Sequence, residues 1–144
     1  MPRYSKFYAL RGHEVVEAGD LMGAARMFEA GVDRTVAKTT LTDPKDATKS
    51  CEVSTVFLPI DHNYSNEGPP LVFETLIFEG PLADWMNRYS TWEDAEKGHA
   101  EFVEAVRIAY AMPEKIKQVE AKLVRHMKAR KSWHDLVLDN ADED

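Results

Sequence analysis

Two apolar runs, residues 53–60 (VSTVFLPI) and 71–78 (LVFETLIF), constrain this chain more than any other feature. Both are dense in the β-branched and aromatic side chains that suit a pleated, packed surface. They predict two central strands, each buried on much of both faces. A hairpin centred on the ten residues between them pairs Leu58 with Phe73 and Val56 with Thr75. Pro59 has no amide hydrogen to give, so the ladder thins toward the connection and places it at an edge of the sheet.

The remaining segments supply partners for this pair. Residues 3–10 (RYSKFYAL) read as a strand, with a turn at Arg11-Gly12-His13 into a short partner over 14–18. Asp20 is a suitable N-cap for a helix over 21–30, ended by Gly31, with Leu21, Ala25, Phe28 and Val32 on one face. Residues 34–41 predict another strand, and the polar segment 42–50 (TDPKDATKS) an exposed, mobile loop. Ser90 and Glu93 form a capping box for a helix reaching about Ala111, with Trp92, Ala95, His99, Phe102, Val106 and Tyr110 along one stripe. Pro113 breaks it and opens a last helix whose stripe is Ile116, Val119, Leu123 and Met127. The expected fold class is α+β: a mostly antiparallel sheet of four or five strands packed against helices, ending in a helical hairpin. Residues 1–131 are expected to form one domain and 132–144 a flexible acidic tail.

A chain of 144 residues can bury enough surface to need no disulfide or structural metal. One cysteine, Cys51, cannot form an internal disulfide, which suits a reducing compartment. No run is long and apolar enough to span a bilayer, and the start MPRYSKFYAL lacks a secretory pattern, so a cytoplasm is the expected location with no membrane contact. The net charge of −7 is uneven: residues 113–131 hold seven bases against two acids, and 132–144 hold five acids and no Lys or Arg. An acidic body argues against direct nucleic-acid binding except through the basic stretch 113–131.

The loop 61–70 (DHNYSNEGPP) is long for a hairpin connection, and long ordered loops often carry function. Asp61, His62 and Asn63 offer a carboxylate, an imidazole and an amide in succession, with Glu67 returning nearby. Asp61 and Asn63 also suit side-chain-to-backbone turns, and both readings stay open. Neighbours in an extended chain point apart, and Glu74 lies about 16 Å along the strands from His62, so no metal site is assigned. His99, amid an apolar stripe, predicts a buried, hydrogen-bonded imidazole; adjacent Gly98 predicts close packing on another element. Glu74 is expected on the solvent face, or paired with Arg88 or Arg34. Arg88 with the helix N-terminus suits a phosphate, although Tyr89 and Trp92 read better as core anchors. Glu93, Glu96, Glu101 and Glu104 form a candidate charged face. No catalytic motif, metal site or cofactor is expected.

The segments STVFLPIDHN, GPPLVFETLIFEGPL and RYSTWEDAEKGH, spanning residues 54–99, resemble a family of small uncharacterised phage and prophage proteins. Its pattern reads approximately STVFLGLDHN, GPPLLFETMVFGG and RYSTWEEAEAGH; Pro59 and Glu79 stand here where the family usually has glycine. The resemblance implies an origin and not a reaction. The expected function is a phage or prophage accessory protein that binds a host protein or nucleoprotein effector, such as an anti-CRISPR or other anti-defence inhibitor. The alternatives are a small-molecule, nucleotide or metal-dependent hydrolase site around the 61–70 loop and Arg88–Trp92, or a minor phage assembly protein that self-associates through its helices.

Overall fold

Alternation of inward and outward residues on four strands, and one twenty-residue helix with a continuous buried stripe, organise the molecule. The computed structural model describes residues 6–29, 31–65 and 67–127, so the expected tail 132–144 and the end of the basic stretch lie outside the described residues. A small hairpin comes first, β1 (Tyr8–Arg11) with β2 (Glu14–Glu17), followed by α1 (Leu21–Ala25) and a 3-10 turn, Arg26–Phe28. The main sheet is antiparallel in the order β3-β4-β5-β6: Thr35–Asp43, Asp46–Phe57, Phe73–Phe78 and Met86–Tyr89. Helix α2 (Trp92–Ala111) packs across all four strands. A 3-10 turn begun by Pro113 then leads into α3 (Ile116–His126), which packs on α2. The architecture is α+β, as expected.

Several local expectations are corrected. Segment 42–50 is no loose loop: β3 continues to Asp43 and β4 begins at Asp46. Its threonines favour extended backbone, and Asp43 accepts the Lys45 amide hydrogen across a turn begun by Pro44 (2.9 Å), so polarity here marks exposure. The β4–β5 register differs by one residue, Phe57 facing Phe73 and Thr55 facing Thr75. A one-residue slip exchanges the two faces. The observed register sends Val53, Thr55 and Phe57 inward with Phe73, Thr75 and Ile77, so the central strands alternate instead of being buried on both faces. Strand β6 lies where the sequence suggested only a junction, its four residues being too few to show alternation. The cap of α2 falls one residue later than expected: the Thr91 hydroxyl accepts the Asp94 amide hydrogen at 3.1 Å.

The core between α2 and the sheet has two apolar clusters. Phe57, Phe73, Tyr89 and Ala95 belong to one, and Val53, Ile77, Phe102 and Val106 to the other, with α3 contributing Val119, Leu123 and Met127 to the second. A polar row lies between them in sequence register. His99 Nδ1 is 2.7 Å from the Thr55 hydroxyl and His99 Nε2 is 2.8 Å from that of Thr39, while Thr55 and Thr75 hydroxyls are 2.6 Å apart. A neutral imidazole has one donor and one acceptor, so it can take part in this chain in either direction. Burial holds His99 below the ordinary histidine pKa and favours that neutral form.

Gly98 explains how closely the helix approaches. A methyl group in its place would run into the ring and hydroxyl of Tyr89 on β6. Gly98→Ala should therefore destabilise by about 1–3 kcal/mol, as overpacking does, against a gain of about 1 kcal/mol from helix propensity alone. Urea denaturation tests this: a lowered midpoint is expected, and an unchanged or raised one contradicts the packing.

Candidate functional site

The 61–70 connection is built from the inside. Asp61 is buried, and its Oδ1 accepts the amide hydrogens of Asn63 (2.7 Å) and Leu71 (2.9 Å), tying the first residues of the loop to its exit. Asn63 Nδ2 donates to the carbonyls of Glu67 (2.8 Å) and Pro69 (2.9 Å), and its Oδ1 accepts from the Ser65 hydroxyl at 2.6 Å. These two residues fold the loop, which is the turn-forming reading of the sequence.

His62 does not join Asp61 as an acid–base pair. Its Nδ1 lies 2.7 Å from the Ile60 carbonyl, which requires a proton on Nδ1 and leaves Nε2 as the basic nitrogen of the neutral ring. The surface this loop offers is led by Tyr64, 83% exposed and tilted over His62 with ring centroids 6.1 Å apart. Glu67 is exposed, and its backbone carbonyl is engaged by Asn63.

Arg88 is turned away from the start of α2. Strand alternation turns Tyr89 toward Gly98 and Arg88 to the opposite face, where its Nε donates to Glu74 at 3.0 Å. Glu74 is accordingly half-buried and paired. Tyr89 is buried and Trp92 half-buried. The Trp92 ring stacks on His13 at 3.8 Å and meets Phe73 edge-on at 6.2 Å, so the first turn of α2 sits at the end of the sheet from which the loop leaves. Glu93, Glu96, Glu101 and Glu104 are all exposed along α2, with Glu104 bound to Arg107 at 2.7 Å. Among the described residues, no three His, Cys, Asp or Glu side chains are placed to share a metal ion, and no helix is long and apolar enough to cross a membrane.

Two features escaped the sequence. The first is the α1 region. Leu21, Ala25, Phe28 and Val32 share one face in the sequence, and that face is turned outward: Leu21, Phe28 and Val32 are 59%, 58% and 40% exposed, and Met22 is 68% exposed. Ala24 and Met27 take the buried positions, and the helix yields to a 3-10 turn after Ala25. Arg34 lies 4.4 Å over the Phe28 ring and donates to the Phe57 carbonyl at 3.1 Å, fixing the aromatic against the sheet end. The second is a cavity of about 500 Å³ at the far end, walled by Asp43, Lys49, Glu79, Gly80 and Tyr110. Glu79 holds φ 64°, and burial, the Cys51 thiol, Asp43 and Glu79 together push the Tyr110 phenol up to about 12. Burial likewise raises the Cys51 thiol, so a reactive thiolate is disfavoured.

Comparison of the chain with protein-family models, with curated proteins and with solved structures returns no match.

The loop assigns separate work to its residues. Asp61→Ala should cost about 1–3 kcal/mol because two amide hydrogens lose their acceptor, whereas Tyr64→Ala should stay within about 0.5 kcal/mol of wild type. Paired thermal and urea melts check this; equal effects would contradict the division.

Proposed function

We propose that this chain is a phage or prophage accessory protein that binds a host protein, with the α1 side and the adjoining loop as its contact surface. The observation that carries the reading is the outward turn of Leu21, Met22, Phe28 and Val32 within twelve residues. Concentrated exposed apolar surface is characteristic of protein contact sites. Helix α1 contacts β1, and the chain around β1 is tied to the start of the loop: Tyr8 donates its amide hydrogen to the Pro59 carbonyl (2.8 Å), and the Asp61 amide donates to the Lys6 carbonyl (2.9 Å). Tyr64 adds an aromatic anchor on a loop stiffened by Asp61 and Asn63. Rigid aromatics of this kind commonly dominate binding energy.

The acids of α2 supply a second element. Glu93 and Glu96 lie near the loop end, where negative charge would steer the protein toward a basic partner. A nucleic-acid-handling defence effector has such a surface, and occupying it would block its substrate. The phage origin is suggested by the resemblance of residues 54–99. A small-molecule site built from the loop and Arg88 has less support, because Arg88 is engaged by Glu74.

The test is a plating assay in bacteria that carry a nucleic-acid-targeting defence system. Expression of the chain should raise plating of a restricted phage. Leu21→Asp with Phe28→Asp should abolish the rise, with the lost anchors costing about 2 kcal/mol or more each. Glu93→Lys with Glu96→Lys should slow association and reduce its salt dependence. No rise across a panel of such systems, or a rise untouched by the apolar double variant, would contradict the proposal.

A further inference from the structure

The main sheet ends at β3, whose outer edge has no strand partner among the described residues. β3 keeps an unbroken register with β4 from Ala37 to Thr42 and holds no proline or glycine. Sheets usually blunt an edge with proline, bulges, charges or short length, because unpaired backbone groups invite another strand. Here a register shift lies between Thr35 and Ala37, and the one charge before Asp43 is Lys38, whose ammonium is 3.2 Å from Glu52. The stretch Thr39–Thr42 carries none of these devices, whereas the opposite edge, β6, is only four residues long. We propose that β3 pairs antiparallel with β3 of a second copy across a twofold axis at Thr40, joining two four-stranded sheets into one.

The faces of the strand restrict the register. Thr39 and Leu41 point toward α2, where Thr39 meets His99 and Leu41 packs on the core, and Lys38, Thr40 and Thr42 are exposed on the other face. Residues directly opposite on antiparallel strands share a face. An identical strand must therefore set Thr40 against Thr40, Lys38 or Thr42. Thr40 against Lys38 places the two Lys38 side chains on a diagonal of about 7–8 Å, where like charges repel. Thr40 against Thr42 brings Pro44, with no amide hydrogen, opposite Lys38. Thr40 against Thr40 avoids both faults, setting each Lys38 opposite a threonine and its counterpart about 13 Å away along the strands.

The side chains favour a second copy over a foreign strand. Threonines opposite one another form stabilising cross-strand pairs. Leu41, half-buried in one copy, falls beside Thr39 of the other, which covers what remains of its surface. A charged peptide finds nothing to read, since Lys38 is already engaged by Glu52. The twofold pairing uses both β3 edges, so association closes at a dimer.

Sedimentation velocity on the full chain tests this. A dimer should accumulate as concentration rises through about 1–100 μM. Thr40→Lys should leave the monomer folded, because residue 40 is exposed and lies opposite Glu52 on β4. It should weaken dimerisation at least about tenfold by setting two cations face to face. Thr40→Glu alone should weaken it as well. Mixed in equal amounts, the two variants should recover a dimer, which misfolded chains could not do. Leu21→Asp with Phe28→Asp should leave dimerisation unchanged, which separates this edge from the α1 surface. A monomer across the range, a dimer indifferent to Thr40→Lys or lost with the α1 variant, a tighter dimer of Thr40→Glu alone, or a mixture that stays monomeric would each overturn the proposal.

Discussion

The hydrogen-bonded row Thr39–His99–Thr55–Thr75 fixes where α2 can lie. It sits between two apolar clusters that, on their own, would tolerate sliding, since the attraction between greasy surfaces has no direction. Buried hydroxyls and an imidazole have direction. Each costs free energy comparable to a lost hydrogen bond when unpartnered, so moving the helix by one turn would set His99 against Val53 and Ile77 or against Phe57 and Phe73 with its nitrogens unmet. The apolar clusters supply most of the stabilisation, and the polar row selects one arrangement from several of similar burial.

The rest of the molecule follows from that placement. With His99 over Thr55, Gly98 meets Tyr89, and the helix can approach β6 only because it has no side chain there. Trp92 then falls between His13 and Phe73, which joins the small hairpin to the end of the sheet. At the other end, Phe102 and Val106 offer the surface on which α3 packs. The α1 region is left outside this scheme. Its buried share is met by Ala24 and Met27, so Leu21, Met22 and Phe28 stay exposed. The loop is similarly divided, with Asp61 and Asn63 consumed in holding it and Tyr64 presented.

Much of this was legible in the sequence, and the parts that were not share a physical cause. The stripes of α2 and α3, the break at Pro113 and the buried state of His99 follow from helical periodicity over long segments. The strand pair was legible from its apolar density, but its register was not, because symmetry of a ten-residue connection is a poor guide when Asp61 ties Leu71 directly. Residues 42–50 misled because threonine-rich polarity looks the same in a loop and in an exposed hairpin. Which side of α1 meets the core was not legible because its buried residues, Ala24 and Met27, are only two of several apolar side chains in a short segment. Arg88 was misplaced since β6 was not seen, and strand alternation decides which way that side chain points.

A double-mutant cycle between Thr55→Val and His99→Leu tests the central claim most directly. Thr55→Val leaves His99 Nδ1 without its hydroxyl, His99→Leu takes one of the two partners of Thr55, and the double variant removes both members of that bond. The account predicts that the double variant is less destabilised than the sum of the singles by about 1 kcal/mol or more. Additivity within about 0.3–0.5 kcal/mol would contradict it, since distant and independent sites behave that way.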